Sequence, residues 1–451
     1  MFENVKRKTD IVDVFAKLFL FFCIFLPVTY SFIRLCLLLL FFVFSLFISI
    51  KSEMRFNISG FIILFFSLLY NVLSTVNGVI NNTPGATRCL TVDFFWPIML
   101  SFSLSIWVER NDLTKIIRFL MICSSFTIMW DLWYCFSKIG LIPFPHSLLS
   151  INLEYSFNHE GILFQYITNH MVSYMFITPV TFALLLCGNS DKYIGKIFMK
   201  FLFVMELLLL YFSGRVAFVL SSFFAILITI ILKRICSKNL FIHMTKSGMK
   251  RGVILLIVFP LLLLFGAHIS KKVFGHGIEG IQSYVTWKLS GTIKGDTNSQ
   301  ETNLRYVQSK YLLEGWRESP LIGHGTGSYT TKIIRSSEQP WAYESAYVAM
   351  LFQKGVLGLI LYFSPCIWII FTLCKKVRRK EYSIQEAVPI CVGLICMLMV
   401  NSVDPYLNTM GSQWMIYLPY SFAMKHNQKN ARINNENTIS QKNLMPLLEK
   451  V

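Results

Sequence analysis

Apolar runs close to the length of a bilayer crossing recur along this chain, and they constrain its fold more than any motif does. A helix needs about 20 apolar residues to cross a hydrocarbon core. Such runs occupy Val14 to Tyr30, Leu35 to Ile50, Ile58 to Val76, Val92 to Val108, Ile116 to Phe136, Ile167 to Leu186, Ile197 to Phe212, Val216 to Leu232, Val253 to Ile269, Ala346 to Leu373, Ala387 to Val400 and Ser412 to Met424. The sequence therefore predicts an all-α polytopic membrane protein of about 12 transmembrane helices, because only structures that satisfy their own backbone can span lipid. The last two runs are short, and a re-entrant or interfacial piece among them would lower the total to about 10 or 11. An ordinary soluble domain is excluded: 54% of the 451 residues are hydrophobic, 15% are charged, and the mean hydropathy is +0.55.

The formal charge of +18 would suit a nucleic-acid binder, but its distribution argues for a membrane topology and no nucleic-acid partner. Lys and Arg cluster at Lys6 to Lys8, Lys51 to Arg55, Arg110 to Lys115, Lys192 to Lys200, Lys233 to Arg251, Lys375 to Lys380 and Lys425 to Arg432, all on one side of the expected bundle. The turns at Tyr30 to Arg34, Asn77 to Leu90, Ser213 to Arg215 and Asn401 to Gly411 carry few. The positive-inside bias then places both termini in the cytoplasm. The first apolar run lacks a small-residue cleavage site and is expected to be retained. Most of the 11 Cys fall in apolar runs without metal or redox spacing, and Cys89 alone is expected in an outward loop.

The expected organisation is nine transmembrane helices in 1–269 with an outer loop at 137–169, a large periplasmic loop containing short helices at 270–343, three transmembrane helices in 344–424, and a cytoplasmic tail at 425–451. Loops of such length are enriched in sites and lids. The large loop has its own helical pattern from Asn303 to Glu318, followed by Pro320 and a run with alternating Gly323, Gly325 and Gly327. That run either turns the chain structurally or faces a substrate; without a following Lys it does not match a nucleotide-binding loop. Arg215 interrupts two apolar runs on the outer side, where a lone arginine is a site candidate unless it snorkels to the headgroups. Arg305 on the loop helix is the natural second cation, since planar guanidinium forks match oxyanions bidentately. Glu344 stands where the loop meets the tenth span and is the leading candidate base; its alternative is a helix-dipole role. His324, between glycines, is the best outward imidazole. Asp93 and Asp131 also interrupt apolar runs, which keeps an ion path open.

Three local patterns resemble the O-antigen polymerase and O-antigen ligase superfamily of bacterial inner-membrane proteins. They are Ser213-Gly214-Arg215-Val216-Ala217, Arg305 through Trp316 and Arg317 to Pro320-Leu321-Ile322-Gly323-His324-Gly325-Thr326-Gly327-Ser328-Tyr329, and Glu344-Ser345-Ala346-Tyr347 leading into Lys354-Gly355. The resemblance covers about Tyr211 to Leu361 and implies glycosyl transfer at the periplasmic face of a bacterial inner membrane, without cofactor or obligatory metal. The implied donor and acceptor are glycans on undecaprenyl diphosphate in the lipid bilayer, with a chain-length regulator as a further partner. Arg215 and Arg305 would hold the diphosphate and stabilise its growing charge, while Glu344, with His324 in reserve, would be the base. Trp316, Arg317, Gly323, Gly325, Gly327 and Tyr329 would form the substrate loop. The ligase branch usually has a His ahead of the tenth span, whereas this chain has Glu344-Ser345, which favours polymerase. His159 and His170, from the other long outer loop, are further candidate imidazoles. The rivals are a ligase acting on lipid A core and a lipid-linked oligosaccharide flippase or transporter.

The arginine reading makes a direct prediction. Arg215→Lys keeps the charge but loses the fork, so turnover should fall while membrane insertion is unchanged; equal turnover of purified variant and wild type would remove the bidentate role.

Overall fold

The computed structural model describes residues 2–51, 57–138, 142–143, 153–158, 163–168, 170–188, 193, 195–213, 216–237, 300–334 and 336–426. Arg215, His159, the expected ninth span and most of the tail lie outside the described residues, as does the start of the large loop.

The apolar runs become helices: α1 (Phe2–Phe25), α2 (Ser31–Lys51), α3 (Ile58–Ile80), α4 (Ala86–Leu90), α5 (Trp96–Arg110), α6 (Leu113–Lys138), α7 (Met171–Cys187), α8 (Lys196–Ser213), α9 (Val216–Cys236), α10 (Gln300–Trp316), α11 (Ala346–Arg378), α12 (Ile384–Asn401) and α13 (Trp414–Met424). A π-helical turn, Thr91–Phe95, joins α4 to α5. Among the described residues, seven helices are long and apolar enough to cross a membrane: α2, α3, the α4–α5 unit, α6, α9, α11 and α12. These fit a multi-pass membrane protein. The last expected span is an 11-residue helix, short of a crossing by length.

Two expectations need correction. The sixth span does not begin at Ile167, because Leu163–Thr168 pairs antiparallel with Leu153–Asn158 in a two-stranded ribbon, and the helix starts at Met171. Cys89 is not in a loop, because the turn is shorter than expected: α3 continues to Ile80 and α4 starts at Ala86.

Helices α7, α9 and α12 pack against one another at the centre, and α7 is buried along nearly its whole length. Helix α3 lies outside, packed on α11, with Phe61, Phe65 and Phe66 exposed as expected of a lipid-facing surface. Arg34 is buried at the start of α2 and donates to the carbonyls of Leu26 and Val28, so it satisfies the C-terminal end of α1 and fixes the turn beside it.

Helix α11 is broken at Gly355, whose φ is 66° and ψ is −172°. An unbroken helix would bond the amides of Val356 and Leu357 to the carbonyls of Phe352 and Gln353. Here the large loop takes all of these groups: Val356 N–H donates to Pro320 O at 2.9 Å, and Leu357 N–H to Leu321 O at 3.1 Å. In return, His324 N–H donates to Phe352 O at 3.0 Å and Gly325 N–H to Gln353 O at 2.8 Å. The freed carbonyl of Lys354 accepts from the Tyr70 hydroxyl at 2.7 Å. On its other side the loop meets α3, with Thr326 N–H donating to Ser74 O at 2.9 Å. Gly325 has φ of 95°, and a methyl there would collide with the backbone of Gly78.

This geometry predicts that Gly325→Ala destabilises by more than about 1 kcal/mol, because the left-handed backbone and the helix contact both oppose it. Gly195 also has a positive φ, of 93°, but faces open space, so Gly195→Ala should cost less. Equal falls in unfolding temperature for the two variants in detergent would refute the close-approach argument.

Candidate functional site

Helix α10 presents Arg305, Gln308, Ser309 and Leu312 at helical spacing toward the segment that enters α11. Buried Gln308 accepts from the Glu344 amide at 3.1 Å, and the hydroxyls of Ser309 and Ser345 lie 2.8 Å apart. Below them Leu312 joins Tyr343, Ala349 and Phe352 in a small apolar core, with Tyr329 packed against it. The Tyr343 hydroxyl accepts from the Thr330 amide at 2.8 Å, and burial pushes its phenol above the ordinary value.

This packing brings Arg305 and Glu344 together, as the sequence suggested: the guanidinium Nε donates to the Glu344 carboxylate. A second carboxylate joins them. Asp404, in the turn after α12, accepts from another nitrogen of Arg305 at 3.0 Å and from the Tyr406 hydroxyl at 3.0 Å. Two carboxylates from separate segments thus converge on the guanidinium that α10 carries. Glu344 is 7% exposed, so its carboxylate is held by neighbours rather than by bulk water. An anion reaching Arg305 must compete with both carboxylates.

Beside this cluster lies a cavity of about 610 Å³. Its wall includes Tyr343 and Ala346, on either side of Glu344, and Leu407 to Met410, just after Asp404. Deeper in, Lys354 donates to Asp93 at 2.6 Å and to the Asn71 amide oxygen at 2.9 Å, while the Asn71 amide group donates to the Asp93 carbonyl at 2.9 Å. The π-helical turn places Asp93 on this wall. Asp93 is therefore the counter-ion of a buried lysine on α11.

The glycine run does not present its amides to a ligand. The amides of His324, Gly325 and Thr326 go to helix carbonyls, and Gly323, Gly325 and Gly327 are buried with φ between 69° and 95°. The run forms a buried turn whose amides at His324, Gly325 and Thr326 are taken up by α11 and α3. His324 is tied into the same clamp: its Nε2 lies 2.8 Å from Gly315 O, and its ring packs on Phe352 at 4.7 Å. Gly315 is about 15 Å along α10 from Arg305 at the rise of a helix, so His324 is not brought to the Arg305 cluster. Trp316 ends α10 with its indole donating to Pro320 O at 3.0 Å, and Arg317 is exposed. His170 caps α7 at 1% exposure, with its Nδ1 2.7 Å from Asp131, so it belongs to a buried cluster against α6.

Asp404 and Lys354 are the residues that reading the sequence missed. Lys354 left a usable signal, since a lysine within an apolar span needs a partner and Asp93 was already conspicuous. Asp404 left little, being one acid in a short outer turn. Among the described residues no group of His, Cys, Asp and Glu is arranged to hold a metal ion. No protein-family model matches the chain, and no curated protein matches it.

Lys354→Met should lower stability by about 2–3 kcal/mol, since it leaves Asp93 without its cation; the partial exposure of Asp93 keeps the loss below that of a fully buried pair. Adding Asp93→Asn should recover most of the loss. A double-mutant cycle of thermal unfolding checks this, and additive losses would mean that the pair is not coupled.

Proposed function

We propose that this chain is a glycosyltransferase of the periplasmic face that polymerises undecaprenyl-diphosphate-linked repeat units into O-antigen or a related surface polysaccharide. In this reading it is a multi-pass protein of the bacterial inner membrane, with about 12 spans, both termini in the cytoplasm, and the large loop outside. The observation that most supports it is the Arg305 guanidinium gripped by Glu344 and Asp404 beside a cavity large enough for a ligand.

A diphosphate drawn to Arg305 displaces the two carboxylates from the fork. Glu344 then accepts the proton of an acceptor hydroxyl while that oxygen attacks the anomeric carbon. The bond from the anomeric carbon to the diphosphate oxygen breaks, and the electron pair leaves with the lipid diphosphate. Arg305, with Arg215 as the second cation, stabilises the growing negative charge. His324 supports the loop rather than the chemistry.

A transport reading has one observation in its favour. Asp131, His170 and Tyr174 form a buried cluster, with the Tyr174 hydroxyl donating to Asp131 at 2.7 Å, and Glu206 is buried on α8 with Thr181 donating to it at 2.9 Å. Ionisable groups within a bundle mark ion or proton paths often enough to test.

The deciding experiment reconstitutes purified protein with undecaprenyl-diphosphate-linked repeat units, with and without lipid A core and with no nucleotide sugar. A polymer ladder from the donor alone is expected. Product only with lipid A core would make the protein a ligase, and no product from folded protein would favour transport. Glu344→Gln should slow the ladder roughly 10²–10⁴-fold with donor binding retained; wild-type rates would remove Glu344 as the base.

A further inference from the structure

One side of α7 carries polar residues at helical spacing along most of its length: His170, Tyr174, Thr178 and Thr181. All four are buried, at 1% exposure or less. At one end Asp131 of α6 lies 2.7 Å from His170 Nδ1 and accepts from the Tyr174 hydroxyl at 2.7 Å. At the other, the Thr181 hydroxyl donates to Glu206 Oε1 of α8 at 2.9 Å and lies 3.6 Å from Met121 Sδ of α6. These contacts set α6 antiparallel to α7, with Asp131 opposite His170 and Tyr174 and with Met121 opposite Thr181. In that register Ser124 falls opposite Thr178, on the faces that make the other contacts. The hydroxyls of Ser124 and Thr178 and the Oε2 atom of Glu206 are buried with no hydrogen-bond partner among the described residues. Pro179 adds a backbone acceptor to the same stretch, because it lacks the amide that would bond Met175 O.

We propose that Glu206 is a proton-binding site inside the bundle, connected through Ser124, Thr178, Tyr174 and bridging water to Asp131 and His170. No cation is paired with Glu206 among the described residues, and an acid kept from water without one is cheapest to bury as the neutral carboxyl. With Thr181 donating to Oε1, the acid proton sits on Oε2, the atom without a partner. Successive polar residues along the seam are one helical turn apart, about 5–6 Å, a gap that a single water closes. Each hydroxyl or water on the way accepts one proton and gives up another, so only O–H bonds change, and Glu206 gains one proton for each taken up at the His170 end. Cys135 is the other titratable group beside Asp131 and Tyr174. The seam leads to one end of the bundle. His170 stacks on Phe25 at 5.0 Å, and Gly411, in the segment after Asp404, lies against Pro27, so His170 stands at the end that carries the Arg305 cluster. Past Met121 and Thr181 the facing positions are the fully buried Ile117 and Leu184, which offer no hydroxyl. A site closed on that side exchanges protons with one face and carries no current across the bundle, which separates it from transport. It does not depend on sugar chemistry, so its failure leaves the polymer ladder unaffected.

Infrared spectroscopy of the full-length protein in a lipid film, under a flow of H₂O switched to D₂O, tests this. A protonated-carboxyl band that is lost in Glu206→Gln is expected, and it should shift as the acid proton exchanges for deuterium. Thr181→Val, which removes the bond to Oε1, should displace the same band and identifies it if Glu206→Gln does not fold. Thr178→Val keeps the side-chain shape but removes the hydroxyl, and should slow the exchange roughly tenfold. Ser124→Ala should slow it as well. Neither hydroxyl has a protein partner to lose, so the unfolding temperatures of both variants should stay at the wild-type value. Thr127→Val is the control: that hydroxyl is also buried on α6 but is committed to Cys123 O at 2.7 Å, so exchange should keep its wild-type rate. The absence of any band sensitive to Glu206→Gln or Thr181→Val overturns the site. Equal exchange in wild type, Thr178→Val and Ser124→Ala overturns the path, as does equal slowing by Thr127→Val. Loss of the band when sodium replaces choline at constant pH would make Glu206 a metal-cation ligand and also overturn the proposal.

Discussion

The break in α11 at Gly355 is the constraint on which the site depends. A helix interrupted at this point has carbonyls on one side and amides on the other with no helical partner, and an uncompensated loss of this kind is costly where water is scarce. The loop from Pro320 to Gly325 supplies both sets, exchanging two helix bonds for four bonds to itself. The loop cannot leave without orphaning the helix, and the helix cannot straighten without expelling the loop. The glycines follow from this interlock: the loop backbone touches the backbone of α3 on one side and of α11 on the other, at distances that leave no room for Cβ atoms. The residues of α11 after the break run about 34 Å at helical rise, enough for a crossing, while its first turns stand above as a platform for the Glu344 segment.

Charge within the bundle follows a matching rule. Lys354 meets Asp93, Arg34 meets carbonyls at the end of α1, and Arg305 meets Glu344 and Asp404. Each pairing lowers the cost of keeping a charge out of water, and those of Lys354 and Arg305 tie together elements distant in sequence. Lys354 links α11 to the π-helical turn and α3, and Arg305 links the loop helix to the turn after α12. The pairs are weak sources of net stability but strong specifiers of position, because breaking one leaves a charge stranded. The cavity wall is assembled from the same elements.

Much of this was legible in the sequence because the bilayer imposes length and hydropathy on every crossing element. The runs at Leu35, Ile58, Ile116, Val216, Ala346 and Ala387 all became crossing-length helices, and the loop helix expected from Asn303 formed from Gln300. Arg305 drew notice as a cation on the loop helix and Glu344 as the acid where the loop meets an apolar span, and they do meet. What failed to appear depends on contacts between distant segments. Asp404 looks like any turn acid until the fold brings it to Arg305, and the role of the glycine run is visible only beside the broken helix it repairs. The run from Ile167 becomes α7 from Met171, but its first two residues, Ile167 and Thr168, end a strand paired with Leu153–Asn158, a choice made by a partner rather than by local pattern.

The pairing of Arg305 has a chemical consequence under the proposed function. A cation already neutralised by two carboxylates is a poor resting site for stray anions, since any newcomer must overcome both attractions and the repulsion of the groups it displaces. A lipid-linked diphosphate brings more charge than a single phosphate and arrives tethered to the membrane, so it can make that exchange where a dilute soluble anion cannot. The exchange also removes the guanidinium from Glu344 and leaves that carboxylate available to a hydroxyl proton just when a donor is present. Donor binding and activation of the base are then one event. A site built this way keeps its base paired in the absence of donor, so the exchange at Arg305 sets when the base becomes available.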